Sequence, residues 1–124
     1  MGTEALTDLQ LAVMKALWTV GEGSVGDVVS AMAEDGRELA PTTVATLLQR
    51  LSQQGWVERT RSGRQFVYRA SVDQKEAARG VLHRVLRSFF GGRASALTAQ
   101  LLESEQLSPE ELEEMQRLIK EKGA

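Results

Sequence analysis

The sequence predicts a mainly α-helical chain with one small β-hairpin, in the order three helices, hairpin, then further helices. Three observations predict it. Apolar residues recur with helical period along most of the 124 residues. Between Trp56 and Ala70 the period drops to two, in segments rich in Val, Phe, Tyr and Trp that are joined by Arg-Ser-Gly-Arg. Glycine-bearing breaks at residues 21–23, 34–36, 53–55 and 91–92 separate the helical segments. The sequence contains no internal repeat and no low-complexity tract.

The first helix opens on a capping box, with Thr7 as N-cap and Gln10 three residues on, and Leu6 and Leu11 are spaced as a hydrophobic staple. Leu9, Val13, Leu17 and Val20 form one apolar stripe and Leu11, Met14 and Trp18 a second, so this helix should be buried on much of its circumference. The second starts at Ser24, with Asp27 at its third position, and turns Val25, Val28, Val29 and Met32 inward. The third begins at Pro41, a residue suited to a first helical position. Val44, Leu47, Leu48 and Leu51 share its inner face, while Thr42, Thr46, Gln49 and Gln53, with Arg50 beside them, form an outer face without an acid. A merely solvated helix face ordinarily mixes Glu with Lys.

The hairpin follows, its strands expected at Trp56–Thr60 and Gln65–Ala70, with Phe66 and Tyr68 on one side of the second strand and Gln65, Val67 and Arg69 on the other. After Ser71 a long helix is lined by Ala78, Val81, Leu82, Val85, Leu86 and Phe89 and ends at Gly91-Gly92. A shorter segment holds Ala94, Leu97 and Leu101. The last helix has Ser108 as N-cap, Pro109 first and Glu111 third, with Leu112, Met115 and Ile119 on one face and an expected Glu113–Arg117 pair.

Charge is sorted along the chain. The net charge is -2, yet residues 37–70 hold six Arg against two Glu, residues 71–93 hold five basic groups against two acids, and both flanking regions are acidic. Arg59, Arg61, Arg64 and Arg69 all fall on the hairpin. There is no cysteine, so disulfides, thiolate metal sites and a Cys nucleophile are excluded. His83 is the single histidine and has no ligand partners near it in sequence. No Gly-rich phosphate loop follows a strand, and no nucleophile, base and orienting group come together. The reading is therefore not an enzyme, with no cofactor and no metal. No apolar run is long enough to enter a membrane, and Met1–Gln10 lacks the pattern of a signal peptide, so a cytoplasmic protein is expected.

Three helices followed at once by a hairpin, within about seventy residues, make a winged helix-turn-helix, in which the third helix lies in the DNA major groove and the wing reaches the adjacent backbone or minor groove. The arginines of the wing then answer phosphate charge. Residues 1–72 are assigned to this DNA-binding domain and residues 73–124 to a helical dimerisation region. Pro41, Thr42, Thr43, Thr46, Gln49 and Arg50 are the candidate DNA contacts on the helix; Arg59, Arg61 and Arg64 are those on the wing, the last two expected at its tip. Val81, Leu82, Val85 and Phe89 of the long helix, with Leu97, Leu101, Leu112, Met115 and Ile119 beyond it, exceed what a small winged domain can cover, and are expected to bury a two-fold homodimer interface. The alternative is a winged-helix protein–protein adaptor in which the wing charges are incidental.

The stretches LTDLQLAVMKALW, PTTVATLLQRLSQQGWV and GRQFVYRA resemble the penicillinase-repressor (BlaI/MecI) family of winged-helix repressors, as does the later FFGG with ALTAQLLESEQLSPEELEEMQRLI. The resemblance runs from about Leu6 to Ile119. It implies a homodimeric repressor of antibiotic-response or related genes, acting on inverted-repeat operators with TACA/TGTA-like half-sites. It also implies release by proteolysis under a membrane-bound metalloprotease sensor, at an Asn-Phe bond near the end of the long helix. Here the aligned stretch is Ser88-Phe89-Phe90, so Ser88 stands where that pattern has Asn. A branch of the superfamily that senses copper through C-terminal cysteines is excluded, because this chain has none.

Overall fold

A computed structural model describes residues 6–123; the first five residues and Ala124 of the two assigned regions lie outside it. Six helices and three short strands follow in the order α1 (Asp8–Val20), β1 (Glu22–Gly23), α2 (Val25–Glu34), α3 (Pro41–Gln53), β2 (Val57–Ser62), β3 (Gln65–Ala70), α4 (Gln74–Phe90), α5 (Ala94–Ser104) and α6 (Pro109–Gly123). The predicted class is the observed one, with β1 as an addition. The described residues fall into two compact units, divided between Val81 and Leu82.

In the first unit, local chemistry sets the helix starts. Thr7 Oγ1 accepts the Gln10 N–H at 3.1 Å while Gln10 Oε1 accepts the Thr7 N–H at 3.0 Å. Ser24 and Asp27 make the same reciprocal pair at the start of α2. Asp73 caps α4, its carboxylate accepting the Glu76 N–H at 2.7 Å. Each such cap satisfies a backbone donor that the helix itself leaves open. Thr7→Ala is expected to lower stability by about 1 kcal/mol, read as a lower urea midpoint at unchanged slope.

The inward faces meet in one core. Val13, Met14 and Leu17 of α1, Val28 and Met32 of α2, and Val44, Leu48 and Leu51 of α3 are fully or almost fully buried. Trp56, Val57, Tyr68, Val72 and Ala77 complete the cluster from the sheet and the start of α4. Leu6 packs against its edge. Two polar links stitch its rim. Trp18 Nε1 donates to the Val72 carbonyl at 2.9 Å, tying α1 to the segment after β3. Buried Gln10 donates from Nε2 to Gln54 Oε1 at 3.4 Å, joining the start of α1 to the end of α3.

The sheet has the order β1-β3-β2, all antiparallel. The Gly-Glu-Gly segment read as a helix stop also supplies β1, pairing Glu22 with Arg69 and Gly23 with Tyr68. Gly23 is needed there, since a Cβ would stand 2.9 Å from that of Asp27. Between β2 and β3 the loop is Gly63-Arg64, because Ser62 still pairs with Gln65. Gly63 has φ 63, whereas no non-glycine residue described has positive φ. That is the geometry of a primed turn with Gly first. Arg61 therefore lies in β2, opposite Phe66, and not at the tip as expected; Arg64 does occupy the turn.

The second unit holds the rest of α4, α5 and α6. Among its described residues no side chain is buried. Ser108 caps α6, its hydroxyl accepting the Glu111 N–H at 3.1 Å. Arg117 pairs with Glu114 and Glu121 and not with Glu113 as expected. Those carboxylates, Glu114 foremost, hold the guanidinium above its ordinary pKa. Both lie on the Arg117 side of the helix at i−3 and i+4, where two acids compete with a third for one cation.

Candidate nucleic-acid interface

Helix α3 is anchored from behind and open in front. Val44, Leu48 and Leu51 are fully buried, which fixes the rotation of the helix. Pro41, Thr42, Thr43, Thr46, Gln49 and Arg50 are then all exposed. The N-cap, Ala40, offers no side-chain hydrogen bond, so the first turn keeps open backbone donors and the positive end of the helix dipole. No acid lies in that turn, and Arg50 stands in the last one. The Thr46 hydroxyl donates to the Thr42 carbonyl at 3.0 Å. Its proton is thus engaged within the helix, leaving its oxygen to accept and its methyl to make apolar contact.

The wing has two faces. Direct pairing of Arg59 with Tyr68 and Arg61 with Phe66 puts both arginines on the aromatic side of the hairpin. The Arg59 guanidinium carbon is 4.2 Å from the centre of the Phe66 ring and that of Arg61 is 5.3 Å away. On the other face Arg69 donates to Glu58 at 3.0 Å, both side chains being exposed. The four hairpin arginines therefore divide: Arg69 is locally neutralised, Arg64 occupies the turn, and Arg59 and Arg61 share one ring. The charge count that drew attention to the hairpin could not separate them; the register does.

The residues assigned to assembly are placed as follows. Val81, Leu82, Leu101, Leu112 and Ile119 are exposed, and Phe89 is 80% exposed. Val85, Leu97 and Met115 are half-buried. Ser88 is exposed and Phe90, half-buried, is the last residue of α4. Trp56 belongs to the core and Trp18 to its edge. Among the described residues no group of three or more His, Cys, Asp or Glu could hold a metal ion, and no helix is long and apolar enough to cross a membrane.

Comparison with known proteins agrees with this geometry. The penicillinase-repressor family profile matches residues 6–121. The penicillinase repressor of Bacillus licheniformis is 28% identical over 116 residues, covering 94% of this chain and 90% of that protein. The solved DNA-binding domain of the repressor BlaI superposes with a TM-score of 0.52 at 27% identity, covering 61% of this chain and 93% of that domain. The Bacillus licheniformis BlaI monomeric form in complex with the blaP half-operator does so with a TM-score of 0.50 at 27% identity, covering 60% and 89%. A buried-backed helix, an arginine wing and a match over nearly the whole length agree, and the chain belongs to the penicillinase-repressor family of winged-helix, DNA-binding transcriptional repressors.

Proposed function

We propose that this repressor binds as a homodimer to an inverted-repeat operator, with residues 1–72 holding DNA and residues 73–124 holding the two copies together. The observation that carries the DNA side is the exposed, acid-free α3 beside Arg59, Arg61 and Arg64 of the wing, which form no ion pair among the described residues. Pro41, Thr42, Thr43, Thr46, Gln49 and Arg50 enter the major groove, and Arg59, Arg61 and Arg64 meet the backbone or minor groove. The observation that supports assembly is a second unit with no buried side chain among its described residues and with Leu82, Phe89, Leu118 and Ile119 more than half exposed. Apolar surface of that extent calls for a covering partner. A second copy supplies it with matching patches on a two-fold axis, and two α3 helices then read half-sites about one helical turn apart.

The regulated genes belong to an antibiotic response, as the name of the Bacillus licheniformis relative supports. Release follows cleavage at Ser88-Phe89-Phe90, where an exposed end of α4 runs into Gly91 and Gly92, under a membrane sensor protease. The test is duplex binding as a function of salt. Affinity should fall steeply as salt rises, and Arg64→Ala should weaken all sequences alike and flatten the logarithmic slope by about one. Binding that ignores salt would favour the protein–protein adaptor instead.

A further inference from the structure

Strand alternation leaves the wing with an asymmetry that charge neutralisation alone does not require. Glu58, the acid of β2, lies on the face of Arg69 and pairs with it. The opposite face carries Arg59 and Arg61 on β2, Arg61 directly across from Phe66 of β3 and Arg59 diagonal to it, with Val57 and Tyr68 nearer the core. Two exposed guanidinium groups repel one another, and in water flexible arginines separate. Here both stay within 5.3 Å of one ring centre, and the ring itself packs against the core at its base. The ring quadrupole attracts each cation, and the arginine stems cover the apolar ring.

We propose that Phe66 is a positioning residue of the DNA interface. Its ring holds Arg59 and Arg61 side by side on one face of the wing, so that both meet the phosphodiester backbone already ordered. The inference rests on the reading that the wing contacts duplex DNA. Its physical basis is preorganisation. Immobilising long, rotamer-rich side chains is a cost of association, and a contact made before binding removes part of it. A guanidinium that meets a ring through its π face keeps its in-plane N–H donors free, so stacking does not compete with a bidentate phosphate contact. The Phe66 face, and not the Glu58–Arg69 face, is then the side of the wing turned to the duplex.

The first test uses the free full-length protein. The side-chain Nε–Hε signals of Arg59 and Arg61 should be shifted by the ring current of Phe66 and should return toward ordinary positions in Phe66→Leu. Unshifted signals in the unchanged protein would overturn the proposal, whatever the protein does with DNA. The second test is a mutant cycle on specific and unrelated duplexes, with thermal melting alongside. Phe66→Leu should lower affinity on every duplex by on the order of tenfold, with the salt slope kept because both charges remain. Phe66→Trp, which keeps a ring, should retain the affinity and covers the case in which Phe66→Leu melts too early to assay. In a background of Arg59→Ala with Arg61→Ala, changing Phe66 should have no further effect. A loss of equal size in that background, a loss in Phe66→Trp as large as in Phe66→Leu, or no loss at all would show that the ring is only packing. Absence of salt-dependent duplex binding by the unchanged protein would instead sink the DNA reading, which the arginine signals do not depend on.

Discussion

Arg50→Ala should weaken binding to the preferred duplex by about 1–3 kcal/mol, roughly five- to 150-fold, and relax preference at one base position. The expectation follows from placement. Leu48 and Leu51 bury the back of α3 completely, so Arg50 has no freedom to turn inward. No acid stands anywhere along α3 to draw it aside, and among the described residues no ion pair involves it. A guanidinium so presented can take guanine O6 and N7 with two donors at once. Arg50→Lys separates the two roles it could have. Lysine keeps the charge and loses the fork, so it should restore a phosphate contact and fail to restore a guanine contact. Affinities for the selected site and for single-base variants measure both. If Arg50→Ala leaves preference and affinity intact, Arg50 does not read a base, and the discrimination lies with Thr42, Thr43 and Thr46.

What could be read from the sequence was whatever a residue settles with its near neighbours. Thr7 with Gln10, Ser24 with Asp27 and Ser108 with Glu111 are contacts three residues apart, and the structure forms all three. The inner face of α3 was legible for the same reason, since helical geometry alone puts Val44, Leu48 and Leu51 together. What needed pairing across the chain was not legible. Glu22-Gly23 is too short to show alternation and becomes a strand only because β3 lies beside it. The partner of Arg69 appears only when the register sets Glu58 opposite it. Alternation puts Phe66 on the same side of its strand as Tyr68, yet its place across from Arg61 and beside Arg59 depends on the turn at Gly63-Arg64. The pairing of Arg117 went to Glu114 and Glu121 because several acids on α6 stand within reach, and spacing does not choose among them. The apolar stripes of α4 to α6 were visible as stripes. Their excess over what the winged domain can cover was legible too, but a stripe records that a surface is to be covered and not what covers it.

A chain ending at Ser88 should bind the full operator about 10²–10⁴-fold more weakly than the intact protein, with its affinity for a single half-site unchanged. The first unit ends at Val81, and its buried core, from Val13 to Ala77, lies wholly within such a fragment. It should therefore fold, with α3 and the wing intact. The fragment lacks Phe89 and all of α5 and α6, and so loses most of the exposed apolar surface assigned to the second copy. Two linked domains gain from effective concentration, because the first to bind brings the second to its half-site. Parted, each must find its half-site alone, and affinity falls without any change in a DNA-reading residue. A protease could reach backbone near Ser88, since α4 ends at Phe90 and helix ends open at little cost. Sedimentation of the fragment, with titrations on a half-site and on the inverted repeat, measures every part of this. If the fragment sediments as a dimer and holds the full operator as tightly as the intact chain, cleavage here cannot be the switch, and a ligand or another protein must release the DNA.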